Sequence, residues 1–95
     1  FFNFKMQTFQ ILIKGNVQSI FYRIFTKLNA KKLNVTGTVK NLNNGDVEIL
    51  ANCNKETLNQ FIKLLKLGPL GSDVTGINFK EIPAEKIYKD FNIIY

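Results

Sequence analysis

Ile13-Lys14-Gly15-Asn16-Val17-Gln18-Ser19-Ile20-Phe21-Tyr22-Arg23 is the stretch in which the chain changes its period. Leading into it, Phe9, Ile11 and Ile13 alternate with Gln10, Leu12 and Lys14, the repeat of a half-buried strand running from about Gln7 to Lys14. Leading out of it, Phe21, Ile24, Phe25 and Leu28 recur at helical spacing, which predicts a helix from about Phe21 to Leu33 with these residues on its inner face. Only Gly15 to Ile20 join the two elements, so several backbone N–H groups converge near the first turn of the helix. Unsatisfied donors and the helix dipole favour negative charge there. Arg23 adds a permanently charged planar fork suited to phosphate oxygens.

Outward from this stretch the signals are local and ordered. Asn34 follows the helix at a position where a left-handed residue is favoured. Thr36 to Leu42 and Asp46 to Cys53 read as two strands joined by Asn43-Asn44-Gly45, a hairpin signal that makes them antiparallel neighbours. Asn54 is the N-cap of a second helix with Glu56 in its first turn and Leu58, Phe61, Ile62 and Leu65 as its stripe; Gly68-Pro69 ends it. After a turn-rich segment from Gly68 to Asp73, Ile77 and Phe79 alternate as a fourth strand closed by Pro83. Phe91, Ile93 and Tyr95 alternate as a short final strand, and Asp46 and Asp73 read as turn residues. Nothing is assigned to Phe1 to Lys5. Two helices with one apolar stripe each cannot cover both faces of such a sheet. The expectation is therefore an α+β, ferredoxin-like split βαβ sandwich, residues 1 to 95 forming one domain with both helices on one face.

Thirteen Lys and Arg against seven Asp and Glu leave a net charge of +6, which suits phosphorylated small molecules and nucleic acid equally. The lysines are scattered without a basic block, the pattern of a solvated surface. The chain has no His and a single cysteine, Cys53, which excludes an internal disulfide and leaves no usual zinc, copper or haem ligand set. No metal or cofactor is expected. No apolar run is long enough to span a membrane and none has the form of a signal peptide, so the expected compartment is the cytoplasm, with no membrane partner.

Gly15-x-Val17-Gln18-x-Ile20-x-Tyr22-Arg23 resembles the first acylphosphatase signature, and Gly37-x-Val39-Lys40-Asn41-x-x-x-Gly45-x-Val47 resembles the second. The resemblance continues through Gly68-Pro69 and Phe91-x-Ile93-x-Tyr95. It implies the same ferredoxin-like fold, in a monomer, and an enzyme hydrolysing the carboxyl-phosphate bond of a small acyl phosphate, releasing inorganic phosphate without metal or organic cofactor. Carried across, the phosphate-binding loop falls on Gly15, Asn16, Val17, Gln18, Ser19 and Ile20, the phosphate-binding arginine on Arg23, and the water-positioning asparagine on Asn41. Loop amides and Arg23 would neutralise the dianion as its P–O bond loosens. Asn41, an amide that cannot act as a base, would fix the direction of attack. A phosphate oxygen of the substrate would take the water's proton, which is consistent with the lack of His.

Taken singly, Arg23 would be a surface helix residue and Asn41 a polar strand end; the joint pattern is what raises them. Gln18 reads as a stabiliser of the loop, Cys53 as a structural thiol, and the phenylalanines at helical and strand spacing as core. Ser19 stands where the family has glycine. If that position needs positive φ, serine strains the cradle by about 1 kcal/mol; otherwise its hydroxyl is a further donor toward phosphate. Thr38 beside Gly37 and Cys53 after the third strand also depart from the pattern and are expected to bear on packing. Two other functions fit the charge: a phosphate or small-metabolite binder that no longer turns over, and a nucleic-acid module. The third strand, Asp46-Val47-Glu48-Ile49-Leu50-Ala51-Asn52-Cys53, lacks the aromatics on which bases stack, so nucleic acid is not expected as a partner.

Overall fold

The structure, a computed structural model, describes residues 6–83 and 86–95. Its elements are β1 (Gln7–Asn16), α1 (Ile20–Lys32), β2 (Thr36–Asn41), β3 (Val47–Cys53), α2 (Lys55–Leu67), β4 (Asp73–Ile82) and β5 (Phe91–Ile93). Phe1 to Lys5 lie outside the described residues. The strands form one sheet in the order β4-β1-β3-β2-β5, antiparallel except for the parallel pair β2 and β5. Both helices pack on one face of it, which is the ferredoxin-like order expected from the sequence.

The period-two pattern puts Phe9, Ile11 and Ile13 of β1, Val39 of β2 and Val47, Ile49 and Ala51 of β3 beneath the helices. The register sets Ile11 opposite Ile49 and Ile49 opposite Val39, so inward residues meet across the strands. From above, α2 contributes Leu58, Phe61, Ile62 and Leu65, the stripe read from its sequence. Burying each such side chain is worth about 1.5–3 kcal/mol. Asn54 caps this helix, accepting from the N–H of Thr57 at 2.8 Å. The buried amide of Asn52 is satisfied too: it donates to Thr8 Oγ1 at 2.9 Å and accepts from the N–H of Tyr88 at 2.8 Å, tying β3 to β1 and to the approach to β5.

The first helix differs from its expectation. Its inner face is Tyr22, Thr26 and Ala30, whereas Phe21 is 70% exposed and Leu28 59%, with Ile24 also outside and Phe25 half-buried. The buried face lies roughly 150° around the helix from the stripe that apolar spacing selects, so most of that stripe points away from the core. Two hydroxyls explain how a less apolar face is buried: Tyr22 donates to Leu65 O at 2.8 Å and Thr26 to Tyr22 O at 2.9 Å. Phe21 and Phe79 are exposed and are not core, unlike Phe9, Phe61 and Phe91. The fourth strand begins at Asp73, well before Ile77, because Gly15 and Asn16 extend β1 and pair with Val74 and Asp73 past a register shift at Lys14 and Gly15. Asp73 is thus a strand residue.

Candidate active site

The segment read as one phosphate loop divides into three parts. Gly15 and Asn16 are the end of β1, Val17, Gln18 and Ser19 are the connection, and Ile20 opens α1. Gly15 has φ +130°, and a side chain there would run into the carbonyl oxygen of Asp73, so glycine allows β1 and β4 to meet at this corner. Val17 is buried and anchors the connection to the core. Gln18 points across it: its Nε2 donates to Leu42 O at 2.7 Å and to Asp46 O at 2.9 Å. One amide thereby fastens the loop to the β2–β3 hairpin, immediately beyond Asn41. The hairpin itself is closed by Leu42 N–H to Asp46 O at 2.8 Å and Gly45 N–H to Leu42 O at 3.2 Å.

Ser19 does not adopt positive φ. At φ −106° and ψ 159° it is an extended N-cap whose hydroxyl oxygen accepts from the N–H of Tyr22 at 3.2 Å. The strain entertained for serine is therefore absent. The amides of Val17, Gln18 and Ser19 have no hydrogen-bond partner among the described residues, and the helix provides none for its opening residues Ile20 and Phe21.

Arg23, one turn into α1, and Asn41, the last residue of β2, approach the same end of the molecule through different elements. Arg23 Cζ lies over the ring of Tyr95, 5.0 Å from its centroid. Tyr95 follows β5, which runs parallel to β2 and is fastened to it by Ile94 N–H donating to Val39 O at 2.8 Å. Asn41 lies two residues along from Val39. Arg23 Nε and Asn41 Oδ1 are buried side-chain atoms without a hydrogen-bond partner among the described residues. One is a donor and the other an acceptor. Buried groups of this kind are rare unless a ligand or water completes them.

The charge around the loop fits an anion. Asp46, the acid nearest Gln18, is mostly buried and is met by Lys14 Nζ at 3.5 Å, which offsets its repulsion of a phosphate. Elsewhere, burial pushes the Tyr22 hydroxyl above its ordinary value and the Cys53 thiol up to about 11, so both remain protonated at neutral pH. Buried Cys53 has no thiolate to offer as a nucleophile. Tyr95 was not singled out by its chemistry in the sequence, although it belongs to the terminal Phe-x-Ile-x-Tyr pattern. Its contact with Arg23 depends on the parallel pairing of β5 with β2, which no local signal specifies.

Residues 9–93 match the Acylphosphatase family profile. A Bacillus velezensis protein named acylphosphatase is 37% identical over 90 residues, covering 95% of this chain and 100% of that protein. A Vibrio parahaemolyticus protein of the same name is 38% identical over 92 residues, covering 97% and 99%. The crystal structure of acylphosphatase from Bacillus subtilis superposes with a TM-score of 0.88 at 33% identity, covering 96% of this chain and 100% of that one.

Proposed function

The chain belongs to the acylphosphatase family, enzymes that hydrolyse acyl phosphates, and we propose that in it Arg23, Asn41 and the amides between Gly15 and Ile20 carry that reaction. The observation behind this assignment is that Arg23 Nε and Asn41 Oδ1 are buried without a partner among the described residues, on elements whose topology sets them at the same end of the sheet as the open amides of Val17 to Ser19.

The substrate's phosphate sits on the loop amides and the opening turn of α1, with the Arg23 fork donating to two of its oxygens. Asn41 Oδ1 accepts from the attacking water and holds it in line with the acyl oxygen. The water oxygen bonds to phosphorus as the bond from phosphorus to the acyl oxygen breaks, and that electron pair leaves on the carboxylate. The second water proton passes to a phosphate oxygen of the substrate, giving dihydrogen phosphate and carboxylate. A carboxylate is a good leaving group, so positioning and charge neutralisation suffice without a protein acid or base and without a resident metal or cofactor. Inorganic phosphate is the product, and the protein works as a monomer in the cytoplasm.

Hydrolysis of benzoyl phosphate in the presence of a chelator tests the scheme against Arg23→Ala and Asn41→Ala, with folding checked by circular dichroism. The parent is expected to turn over, and each variant to lose about 10²–10³-fold or more. Turnover retained by a folded Arg23→Ala protein sinks the assignment. A parent that binds phosphate but does not hydrolyse is instead a silent binder. The extended backbone of Ser19 adds no strain in the loop that would support that reading.

A further inference from the structure

The two helices hold seven of the thirteen Lys and Arg and one of the seven Asp and Glu, so the entire net charge of +6 falls in the helix layer and the rest of the chain balances at six against six. Within that layer, α1 carries Arg23, Lys27, Lys31 and Lys32 and no acid. Its solvent side also presents Ile20, Phe21, Ile24 and Leu28, each at least 40% exposed. Ile20, Ile24 and Leu28 fall at i, i+4 and i+8 with Phe21 beside them, and Lys31 and Lys32 follow on the same side in the last turn. The stripe that a soluble helix turns inward is here turned outward and edged with cations.

We propose that this face of α1 is a docking surface for an anionic lipid bilayer, on which the protein lies with its helix layer toward the headgroups. The apolar stripe enters the headgroup boundary while the lysines meet lipid phosphates, the arrangement of an interfacial amphipathic helix. A nucleic acid would match the charge, but it would leave Ile24 and Leu28 without an apolar counterpart, whereas an anionic bilayer offers charge and hydrocarbon together. The balanced remainder of the chain, where Lys14 pairs with Asp46 and Gln10 with Glu48, gives no competing attraction and orients the molecule. Peripheral contact of this kind goes beyond the expectation of no membrane partner, which rested on the lack of a spanning segment. Among the described residues no helix is long and apolar enough to cross a membrane.

The test is flotation of the full chain with phosphatidylcholine vesicles, with and without phosphatidylglycerol. Binding is expected to rise about tenfold or more with the anionic lipid and to fall with added salt. The Ile24→Ser/Leu28→Ser and Lys31→Gln/Lys32→Gln proteins, checked for folding by circular dichroism, should each lose most of it. A Leu28→Trp protein, which keeps the stripe apolar, should shift its emission to the blue only with anionic vesicles. Equal binding to both vesicle types overturns the proposal, as does vesicle binding retained by Ile24→Ser/Leu28→Ser, or Trp emission that stays unchanged. A single-stranded oligonucleotide that displaces the vesicles and binds Ile24→Ser/Leu28→Ser as well as the parent assigns the layer to a polyanion and also overturns it.

Discussion

The guanidinium of Arg23 lies over the ring of Tyr95 at 5.0 Å while its Nε is buried without a partner among the described residues. The stack holds the plane of the fork without using any of its donors, so all of them stay available to an anion. At an exposed site such a contact is worth about 0.5–1 kcal/mol. Tyr95→Ala is therefore expected to raise KM for an acyl phosphate about two- to fivefold and to weaken phosphate inhibition alike, with Tyr95→Phe close to parental. Equal losses in the two variants would place the role in the hydroxyl and not in the ring.

Gln18 crosses the site without being placed against substrate. Its amide is a second donor to the carbonyls of Leu42 and Asp46, which also accept from the N–H groups of Gly45 and Leu42, so removing it leaves neither carbonyl without a partner but unties the loop from the strand that ends in Asn41. Gln18→Ala is expected to cost about 0.5–1.5 kcal/mol in stability, measured by urea unfolding. Its kcat should fall as well as its KM rise, because the loop and Asn41 lose their common register. Unchanged kinetics with lowered stability would show that the tie is structural alone.

What could be read in the sequence and what could not divide by the range of the interaction. Strand alternation in β1, the Asn-Gly hairpin and the stripe of α2 were all legible because each is decided by neighbours in the chain. The face of α1 was not, because the apolar count favours Phe21, Ile24 and Leu28, whereas the buried face is chosen by Tyr22 reaching Leu65 O across the helix pair. For the same reason Arg23 and Asn41 stand out in the sequence only through a two-part signature, and the stacking of Tyr95 was invisible until β5 was paired with β2.

Ser19 gives a sharper test of the cradle. As an extended N-cap it satisfies the Tyr22 N–H, so Ser19→Gly relieves no strain and loses a capping acceptor. Its stability should change by only a few tenths of a kcal/mol, and Ser19→Ala should cost about 1 kcal/mol. In Ser19→Gly the Tyr22 N–H is released toward the bound anion, so phosphate inhibition should tighten modestly. A clear rise in melting temperature for Ser19→Gly would contradict the extended backbone.

Gly15 admits no side chain. Its φ of +130° and the approach of Asp73 O combine a backbone penalty with a steric one. Gly15→Ala should lose about 1–3 kcal/mol or more, seen as a lowered urea midpoint. By contrast, Gly45, at φ +97° but with open space around it, should bear only the backbone part on Gly45→Ala.

The buried thiol of Cys53 links stability to alkaline pH. Its pKa is pushed up to about 11 from an ordinary 9.0 by burial, so between those values the unfolded chain releases a proton that the folded chain retains. Stability from this group is fully present below pH 9 and is lost as pH rises toward 11, at no more than about 1.4 kcal/mol per pH unit. Tyr22 acts with the same sign, but its ordinary value is 10.0, so between pH 9 and 10 the thiol contributes the larger share and the comparison with Cys53→Ala separates the two. Urea midpoints measured across that interval should fall for the parent and stay flatter for Cys53→Ala, whose absolute stability is lower because of the packing it gives up. The native thiol should also resist alkylation at pH 8 until the chain unfolds. Parallel slopes for parent and variant would mean that the thiol titrates at its ordinary value and is open to solvent.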